Sequence, residues 1–255
     1  MGCRTAGGER RLRRMTRIAV LSDIHGNLPA LIAVVADARA RGCTRFVNLG
    51  DILSGPLWPA ETAAWLMARD WPTIAGNHER QVLTDPPARM NASDGFANAV
   101  LGPEALAWLA GLPATLALED MFLCHGTPDS DVAPLTETLA GASLRAASEA
   151  ELAERLAGRG EGRILCGHTH VPRLLTLPGG RRVLNPGSVG LQAYDDDHPR
   201  PYRVENGDPL ARYAVIDGEE IGLHAVAYDH RAAARKAEAE GRPDWAIALA
   251  TGRMR

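Results

Sequence analysis

Five short segments of the sequence place metal-binding residue types directly after apolar runs. They are Asp23-Ile24-His25, Gly50-Asp51, Gly76-Asn77-His78-Glu79, His125-Gly126 and Gly167-His168-Thr169-His170. Five of the eight histidines of the chain fall in these segments, although histidine has no preference for strand ends. Carboxylates, imidazoles and one carboxamide oxygen suit Mn²⁺, Fe or Zn²⁺ better than Ca²⁺ or a thiolate site.

Each segment also has an ordinary structural explanation. An Asp-x-His pair can simply hydrogen-bond, since residues i and i+2 of a strand share a face. A Gly-Asp pair after a strand is commonly a turn or a helix cap, and His125 can be a core histidine. The pair His168 and His170 is stronger, because two imidazoles on one face suit one ion or a close pair. Five such coincidences at one sheet edge are improbable, so together they predict a metal site.

A pair of ions needs a ligand that bridges them, and a carboxylate has two oxygens that can do so. Asp51 is central enough in the set to serve as this bridge. Glycines accompany the ligands at positions 26, 50, 76, 126 and 167. Glycine permits the tight turns that crowding around a metal pair requires, although glycines also punctuate ordinary loops.

The first half of the chain reads as two consecutive βαβ units. Strands are predicted at 18–22, 46–49 and 73–75, and helices follow the first two of them, from 28 onward and over 60–68. Each strand ends in one of the polar clusters. Ligands bind beyond the carboxyl ends of the strands in open α/β sheets, so the three clusters are expected at one edge.

The second half changes to hairpins after a helical insert over residues 80–112. The predicted hairpins pair 115–118 with 121–124, 171–177 with 182–184, and 211–216 with 221–228. A further strand is predicted at 163–166, and helices at 144–157 and 231–240. The segments 129–142 and 191–208 are expected to be loops, the latter carrying the solvated run Asp195 to Asp197.

The composition limits the class of function. With 45% hydrophobic residues, the 255-residue chain can bury a substantial core, and its net charge of −3 gives no reason to expect a polyanionic partner. Four cysteines without CxxC spacing signal neither a zinc site nor a disulfide framework, which suits a reducing, cytoplasmic location. The arginine-rich start lacks the apolar core of a signal peptide, and no run could span a bilayer.

At these five segments the sequence resembles the calcineurin-like metallophosphoesterase superfamily, whose blocks occur here in the family's order over residues 17–190. It is most similar to the small bacterial and archaeal phosphoesterases, through the run from Asp23 to Asn27 and through Asn185–Gly190. The resemblance implies an α/β fold, a four-layer αββα sandwich of two mixed sheets flanked by helices. Residues 17–255 are then one domain, and residues 1–16 are a disordered or misannotated extension, the start codon being Met1 or Met15.

The resemblance also implies a ligand set and roles. One ion would be held by Asp23, His25, Asp51 and His170, and a second by Asp51, Asn77, His125 and His168. His78 would be the imidazole that faces the leaving group, so His78 and Asp51 are the predicted catalytic residues. Substrate contacts are expected from Asn27 and Ser188. The ions are expected to be Mn²⁺ or Fe, with Zn²⁺ or Ni²⁺ as alternatives.

The implied reaction is hydrolysis of a phosphomonoester or phosphodiester, nucleotide-like substrates included. Two divalent ions about 3.5–4 Å apart lower the pKa of a shared water, so that a bridging hydroxide can attack phosphorus in line. His78 can protonate the departing oxygen or stabilise charge on the phosphate. The substrate is expected to be a small phosphate ester, without a membrane partner. The oligomeric state stays open, with a homodimer as one option.

Two departures restrict the branch of the family. The protein Ser/Thr phosphatases have Asp-Arg-Gly after the Gly-Asp block and an arginine before Gly-Asn-His-Glu, whereas this chain has Ser54-Gly55-Pro56 and Ala75 there.

Alternatives to an esterase are a non-catalytic adaptor, like the retromer subunit of this superfamily, or a metal-dependent nuclease. An adaptor is expected to lose ligand residues, and a nuclease to carry a basic groove with stacking aromatics. Among the five tryptophans, Trp58 is expected nearest to substrate.

Overall fold

The computed structural model describes residues 16–156 and 158–255, so the predicted N-terminal extension lies outside the described residues except for residue 16. The strands of the described chain are β1 (Arg17–Leu21), β2 (Cys43–Asn48), β3 (Leu116–Leu118), β4 (Met121–Leu123), β5 (Glu137–Ala140), β6 (Ser143–Ala146), β7 (Arg163–Leu165), β8 (Arg173–Thr176), β9 (Arg182–Asn185), β10 (Ala193–Asp196), β11 (Tyr202–Glu205), β12 (Ala211–Asp217) and β13 (Glu220–Val226). The helices are α1 (Leu28–Ala40), α2 (Pro59–Met67), α3 (Asn77–Thr84), α4 (Ala92–Val100), α5 (Pro103–Ala110), α6 (Glu149–Arg155), α7 (His230–Ala239) and α8 (Pro243–Thr251).

Two mixed sheets form the centre of the fold. The first has the order β13-β12-β1-β2, with β1 parallel to β2 and antiparallel to β12. The second has the order β3-β4-β7-β9-β8, and its three central strands are parallel. The strands β5–β6 and β10–β11 form separate two-stranded hairpins. The mixed α/β architecture with flanking helices confirms the predicted fold class.

Alternating side chains of β1 pack into two different hydrophobic cores, one on each face of the first sheet. On β1, Ile18 and Val20 belong to a core shared with residues of the second sheet, while Ala19 and Leu21 belong to the core beneath α1. Successive side chains of a strand point to opposite faces, so one short strand serves both cores. Burying a valine, leucine or isoleucine side chain contributes about 1.5–3 kcal/mol to the stability of the fold. On the second sheet, Phe122 lies on the outer face against α6.

The helical hairpin formed by α7 and α8 closes the C-terminal end of the fold. Ala233, Ala237 and Leu249 of the hairpin are buried together with Leu57, in the loop before α2, and Leu191, in the segment before β10. The predicted helical insert is present as α3, α4 and α5, which pack on one another and on α2. Both helical units therefore lie beside the loops that follow the strands.

Three local predictions were wrong. Residues 73–75 form no strand, since only Thr73 pairs with Asn48, and Ala75 donates its backbone N–H to Pro113 instead. Residues 143–146 form a strand, and the helix begins only after Ser148, whose side chain and Glu151 make a capping box. The segments expected as loops contain the hairpin strands β5, β10 and β11.

Within the described ranges, no helix has both the length and the hydrophobicity needed to cross a membrane.

The segment between β9 and β10 runs directly beneath the loop that carries Asp23. The backbone N–H of Val189 donates to Ser22 O at 3.0 Å and that of Gly190 donates to Asp23 O at 2.9 Å. A Cβ atom on Gly190 would collide with the carbonyl oxygen of Ile24. This close backbone contact explains why glycine occupies the position.

We expect Gly190→Ala to lower the free energy of unfolding by about 1–3 kcal/mol, because the added methyl group must push two backbone segments apart. Denaturant unfolding of the purified protein measures this change. The matched control is Gly160→Ala, where a Cβ meets nothing within 4 Å, and a change within about 0.5 kcal/mol is expected. Equal effects of the two substitutions would contradict the proposed close contact.

Candidate metal centre

The loops that follow four strands and the start of α3 bring all seven predicted ligands to one place. Two groups have ligand atoms that lie within 4.8 Å of one another, and both could hold a metal ion. The first consists of Asp23, His25 and His170, and the second of Asp51, His125 and His168. Asn77 joins the second group, since its Oδ1 lies 3.1 Å from Nδ1 of His168.

The first group is built around two facing imidazoles. Nε2 of His25 lies 3.1 Å from Nε2 of His170, and the latter lies 3.4 Å from Oδ1 of Asp23. At most one of the two nitrogens carries a proton in the contact, so the other presents a lone pair. The three side chains are 0–4% exposed, and their ligand atoms converge on one point.

The second group is joined to the first through two carboxylates. Nε2 of His125 lies 3.0 Å from Oδ2 of Asp51 and 3.9 Å from Oδ1 of Asp23. Asp51 also accepts a hydrogen bond on Oδ1 from the backbone N–H of His78, at the N-terminus of α3. The carboxylate of Asp51 therefore has one oxygen turned to His125 and the other held by α3, and its charge also acts on His25 of the first group.

Backbone carbonyls orient three of the histidines. Nδ1 of His25 donates to Ser54 O at 2.8 Å, Nδ1 of His125 to Leu49 O at 2.7 Å, and Nδ1 of His170 to Leu191 O at 2.8 Å. A carbonyl can only accept, so the proton of each neutral ring stays on Nδ1. Nε2 is then left free as a ligand atom, which is the usual outer-shell arrangement of metal-binding histidine.

Two buried atoms of the centre have no hydrogen-bond partner among residues 16–156 and 158–255: Oδ2 of Asp23 and Nε2 of His125. The short distance between His125 and Asp51 does not meet the angular requirement of a hydrogen bond. Buried polar atoms normally have partners, and unpaired ones require an explanation. Converging lone pairs on nitrogen and oxygen fit divalent cations, so the donor set is chemically suited to them.

The backbone at the centre adopts a conformation that side chains avoid. In the described chain, the six non-glycine residues with positive φ are Asp23, His25, Asp51, Glu119, His168 and His170, at 52–69°. All but Glu119 are predicted ligands. Left-handed backbone costs on the order of 1–3 kcal/mol per residue and persists where surrounding structure imposes it, typically at functional sites.

Glu79 fixes the loops from which two ligands extend. Its buried carboxylate accepts hydrogen bonds of 2.8 Å from the backbone N–H groups of Asp51, Ile52 and Gly76. Burial, reinforced by the neighbouring carboxylate of Asp51, raises the pKa of Glu79, whereas these N–H groups favour its charged form. One side chain that is not a predicted ligand therefore joins the Asp51 loop to the start of α3.

Burial and neighbouring charges divide the histidines by protonation state. Burial, together with a nearby imidazole, lowers the pKa of His25 and of His168 to about 4, so both rings are neutral at pH 7. Burial also disfavours the charged form of His125, but the carboxylate of Asp51 outweighs it and raises the pKa to about 10. Burial would raise the pKa of Asp51 too, yet His125 and His78 hold it well below its usual value.

His78 is only partly buried, with 22% of its side chain accessible. Its Nδ1 lies 2.7 Å from Oδ1 of Asp94, while its Nε2 lies 3.9 Å from Oδ2 of Asp51. Asp94 belongs to α4 in the helical insert and is 1% exposed. Burial opposes protonation, but Asp51 and Asp94 raise the pKa of His78 to about 9. Sequence reasoning missed Asp94, because a helical insert carries no motif.

A cavity of about 1110 Å³ opens onto the centre. Six predicted site residues line it, namely His25, Asp51, Asn77, His78, His168 and His170, and its outer walls come from α4, α8 and the β5–β6 and β10–β11 hairpins. Asp23 and His125 lie deeper, at 0% and 2% exposed. The centre is therefore reached from one side, with His78 at the entrance.

The two predicted substrate contacts lie elsewhere. Asn27 is fully buried, caps α1 and donates to Gly190 O and to Tyr228 Oη. Ser188 is also fully buried and donates to Asp23 O. Both side chains support the backbone beneath the centre, and we do not carry them forward as substrate contacts. Trp58 does not line the cavity either, whereas Trp245 of α8 does.

Comparison with known proteins gives a consistent result. Residues 16–203 match the calcineurin-like phosphoesterase superfamily domain. The uncharacterized protein MJ0912 of Methanocaldococcus jannaschii is 26% identical, over 89% of this chain and 94% of that protein. A metallophosphoesterase from Sphaerobacter thermophilus has a similar structure, with TM-score 0.74, 24% identity and coverage of 94% and 100% of the two chains. Hypothetical protein PH1004 from Pyrococcus horikoshii OT3 has a similar structure too, with TM-score 0.73, 20% identity and the same coverage of the two chains.

We expect Asp94→Asn to lower the pKa of His78 below about 9 in the metal-free protein, because the substitution removes one of the two carboxylates that favour the charged ring. Since the folded pKa lies above the ordinary value of 6.5, the ion pair stabilises the fold fully below pH 6.5. That contribution is lost as the pH rises through 9. Titration of the histidine ring signals by NMR measures the pKa.

Asp131→Asn is the control, since Asp131 pairs with Arg80 and does not contact His78. The control should leave the pKa of His78 unchanged. An Asp94→Asn protein whose His78 titrates like wild type would contradict the assigned ion pair.

Proposed function

The chain belongs to the calcineurin-like phosphoesterase superfamily, and from that membership and the geometry of the centre we propose a dinuclear metal-dependent phosphoesterase acting on phosphomonoesters or phosphodiesters. The supporting observation is that nitrogen and oxygen atoms of potential ligands converge from five separate loops, and that two of them, Oδ2 of Asp23 and Nε2 of His125, are buried without a hydrogen-bond partner in the described ranges. The resemblance found in the sequence covers the same residues. Hydrolysis of a phosphate ester is the reaction for which such a pair of cations is used.

Each ion would have its own ligand group and one shared residue. Asp23, His25 and His170 would hold the first ion, and Asn77, His125 and His168 the second. Asp51 would bridge them, since one of its oxygens faces His125 of the second group and its charge also acts on His25 of the first. Mn²⁺ and Fe are the first candidates for this mixed oxygen and nitrogen donor set. When bound, such ions neutralise phosphate oxygens and lower the pKa of water.

His78 would act on the leaving group. Its Nδ1 is held by Asp94, so its protonated Nε2 is the atom that can donate a proton. The ring lines the entrance side of the cavity, next to the ligands but outside the two ligand groups. A positioned proton donor of this kind contributes about 10²–10⁴-fold to the rate.

The surroundings favour a small phosphate ester as substrate. The chain has a net charge of −3, so positive charge at the centre would come from the ions rather than from a basic surface. The cavity is of the size that accommodates small molecules.

Cys43, Cys124 and Cys166 are buried free thiols, in keeping with the cytoplasmic location that the sequence predicts.

We expect the purified protein loaded with Mn²⁺ to bind two ions per chain and to hydrolyse p-nitrophenyl phosphate or bis(p-nitrophenyl) phosphate. A chelator should abolish turnover, and readdition of Mn²⁺ should restore it. His78→Ala should lower kcat about 10²-fold or more while two ions remain bound, because it removes only the proton donor. Asp51→Asn should lower both the number of bound ions and kcat, since the bridge loses one anionic oxygen. Elemental analysis and steady-state kinetics measure these quantities.

Asp70→Asn is the control, because Asp70 is exposed and neither belongs to the ligand groups nor lines the cavity, and it should match wild type in both measurements. A protein that binds two ions yet hydrolyses neither ester class, with no effect of His78→Ala, would refute the proposed activity. A stable protein partner retained without metal would favour an adaptor instead.

A further inference from the structure

The C-terminal helical hairpin, α7 and α8, forms one wall of the cavity at the centre. Arg242, Trp245 and Ala248 line this wall, and Met254 follows them. The hairpin lies wholly after residue 203, where the match to the family domain ends. It is held by its own buried cluster against Leu191 and other residues, so the wall is a fixed part of the fold.

Trp245 lies directly beside the first ligand group. Its indole meets the ring of His25 edge-on, with centroids 5.9 Å apart and an interplanar angle of 79°. Gly55 makes this approach feasible, since a Cβ there would lie 2.6 Å from Cη2 of the indole. The position after Ser54, which carries arginine in the protein phosphatases of the family, thus faces an aromatic ring of α8 here.

A second aromatic ring stands on the other side of the same group. Tyr194 of β10 meets the ring of His170 at 4.8 Å, and the rings of His170 and His25 are 4.9 Å apart. The four rings follow one another as Tyr194, His170, His25 and Trp245. Two aromatic side chains therefore flank the ligands of the first group, and both line the cavity.

The volume of the cavity exceeds what a phosphate group fills. At about 1110 Å³ it lies just above the range found for small-molecule sites, on the order of 300–1,000 Å³. Aromatic walls favour flat apolar groups. The region between Trp245 and Tyr194 thus has the chemistry to bind the organic part of a substrate.

We propose that this region, the alcohol subsite, selects phosphate esters whose alcohol carries a flat apolar group. The inference rests on the proposed function, since the phosphate would be placed by the ligand groups beside it. Trp245 and Tyr194 contact the apolar group, and both are specificity-determining residues outside the ligand set.

The test compares hydrolysis of 2-phenylethyl phosphate with that of ethyl phosphate, each as the monoester and as the methyl diester. Both alcohols are primary, so the pair differs in the aromatic ring and hardly in leaving-group chemistry. In Trp245→Leu the ratio of kcat/KM for the phenylethyl over the ethyl ester should fall about fivefold. An unchanged ratio, or an equal loss on both esters, would overturn the role of Trp245.

Trp71→Leu is the control for this comparison. Trp71 stacks on Phe46 with ring centroids 4.4 Å apart and does not line the cavity. The control loses a partly buried indole outside the cavity, so it reports the general cost of the substitution. Its ratio for the two esters should equal that of wild type, and a fall like that of Trp245→Leu would overturn the proposal.

Failure of the proposed function is recognised separately. If the wild-type protein with two Mn²⁺ ions hydrolyses none of the four esters, the activity is refuted, and the subsite is judged by calorimetric Kd values of the same esters. Tighter binding of 2-phenylethyl phosphate than of ethyl phosphate, lost in Trp245→Leu, supports the subsite. Equal affinities overturn it.

Discussion

The structure depends on burying several hydrogen-bond acceptors close together beyond the ends of the strands. Nε2 of His25 and Nε2 of His170 face each other at 3.1 Å, and the unpaired Oδ2 of Asp23 lies nearby. Lone pairs repel when they converge, and burial removes the water that would separate them. Cations bound at the convergence point would remove this cost, so metal binding would stabilise the fold.

The rest of the molecule keeps this arrangement from relaxing. Carbonyl oxygens of Ser54, Leu49 and Leu191 hold the imidazoles in one tautomer, and Glu79 ties the Asp51 loop to α3. Five ligand residues accept left-handed backbone, which the strands before them enforce through their burial in two cores. Strain at the centre is therefore balanced by packing some distance away, as is usual at functional sites.

The sequence sufficed for the parts of the structure that are encoded locally. The apolar run 18–21 with its polar end placed β1 and Asp23 correctly, and the glycines marked the turns beyond the strands. Pairing between distant segments was harder to predict. The β10–β11 hairpin was predicted to be an acidic loop, because Asp195 and Asp196 lie in β10 itself. The alternating buried residues that indicate a strand, Tyr202 and Val204, lie on the partner strand β11. Asp94 and Trp245 reach the centre only through the packing of α4 and α8, which no local pattern encodes.

The strand order of the first sheet has a consequence for folding. β1 leads into the loop with Asp23 and His25, yet one of its two neighbours is β12, whose residues 211–217 lie far along the chain. Until β12 pairs, one edge of β1 lacks a partner strand, and Ile18 and Val20 lack Ala214 and Ile216 as packing partners. Pairing between segments so distant in sequence is slow, because the entropy cost of closing the loop between them comes first. The loop after β1 therefore acquires its final support late in folding, and until then the open edge of β1 is exposed to pairing with other chains.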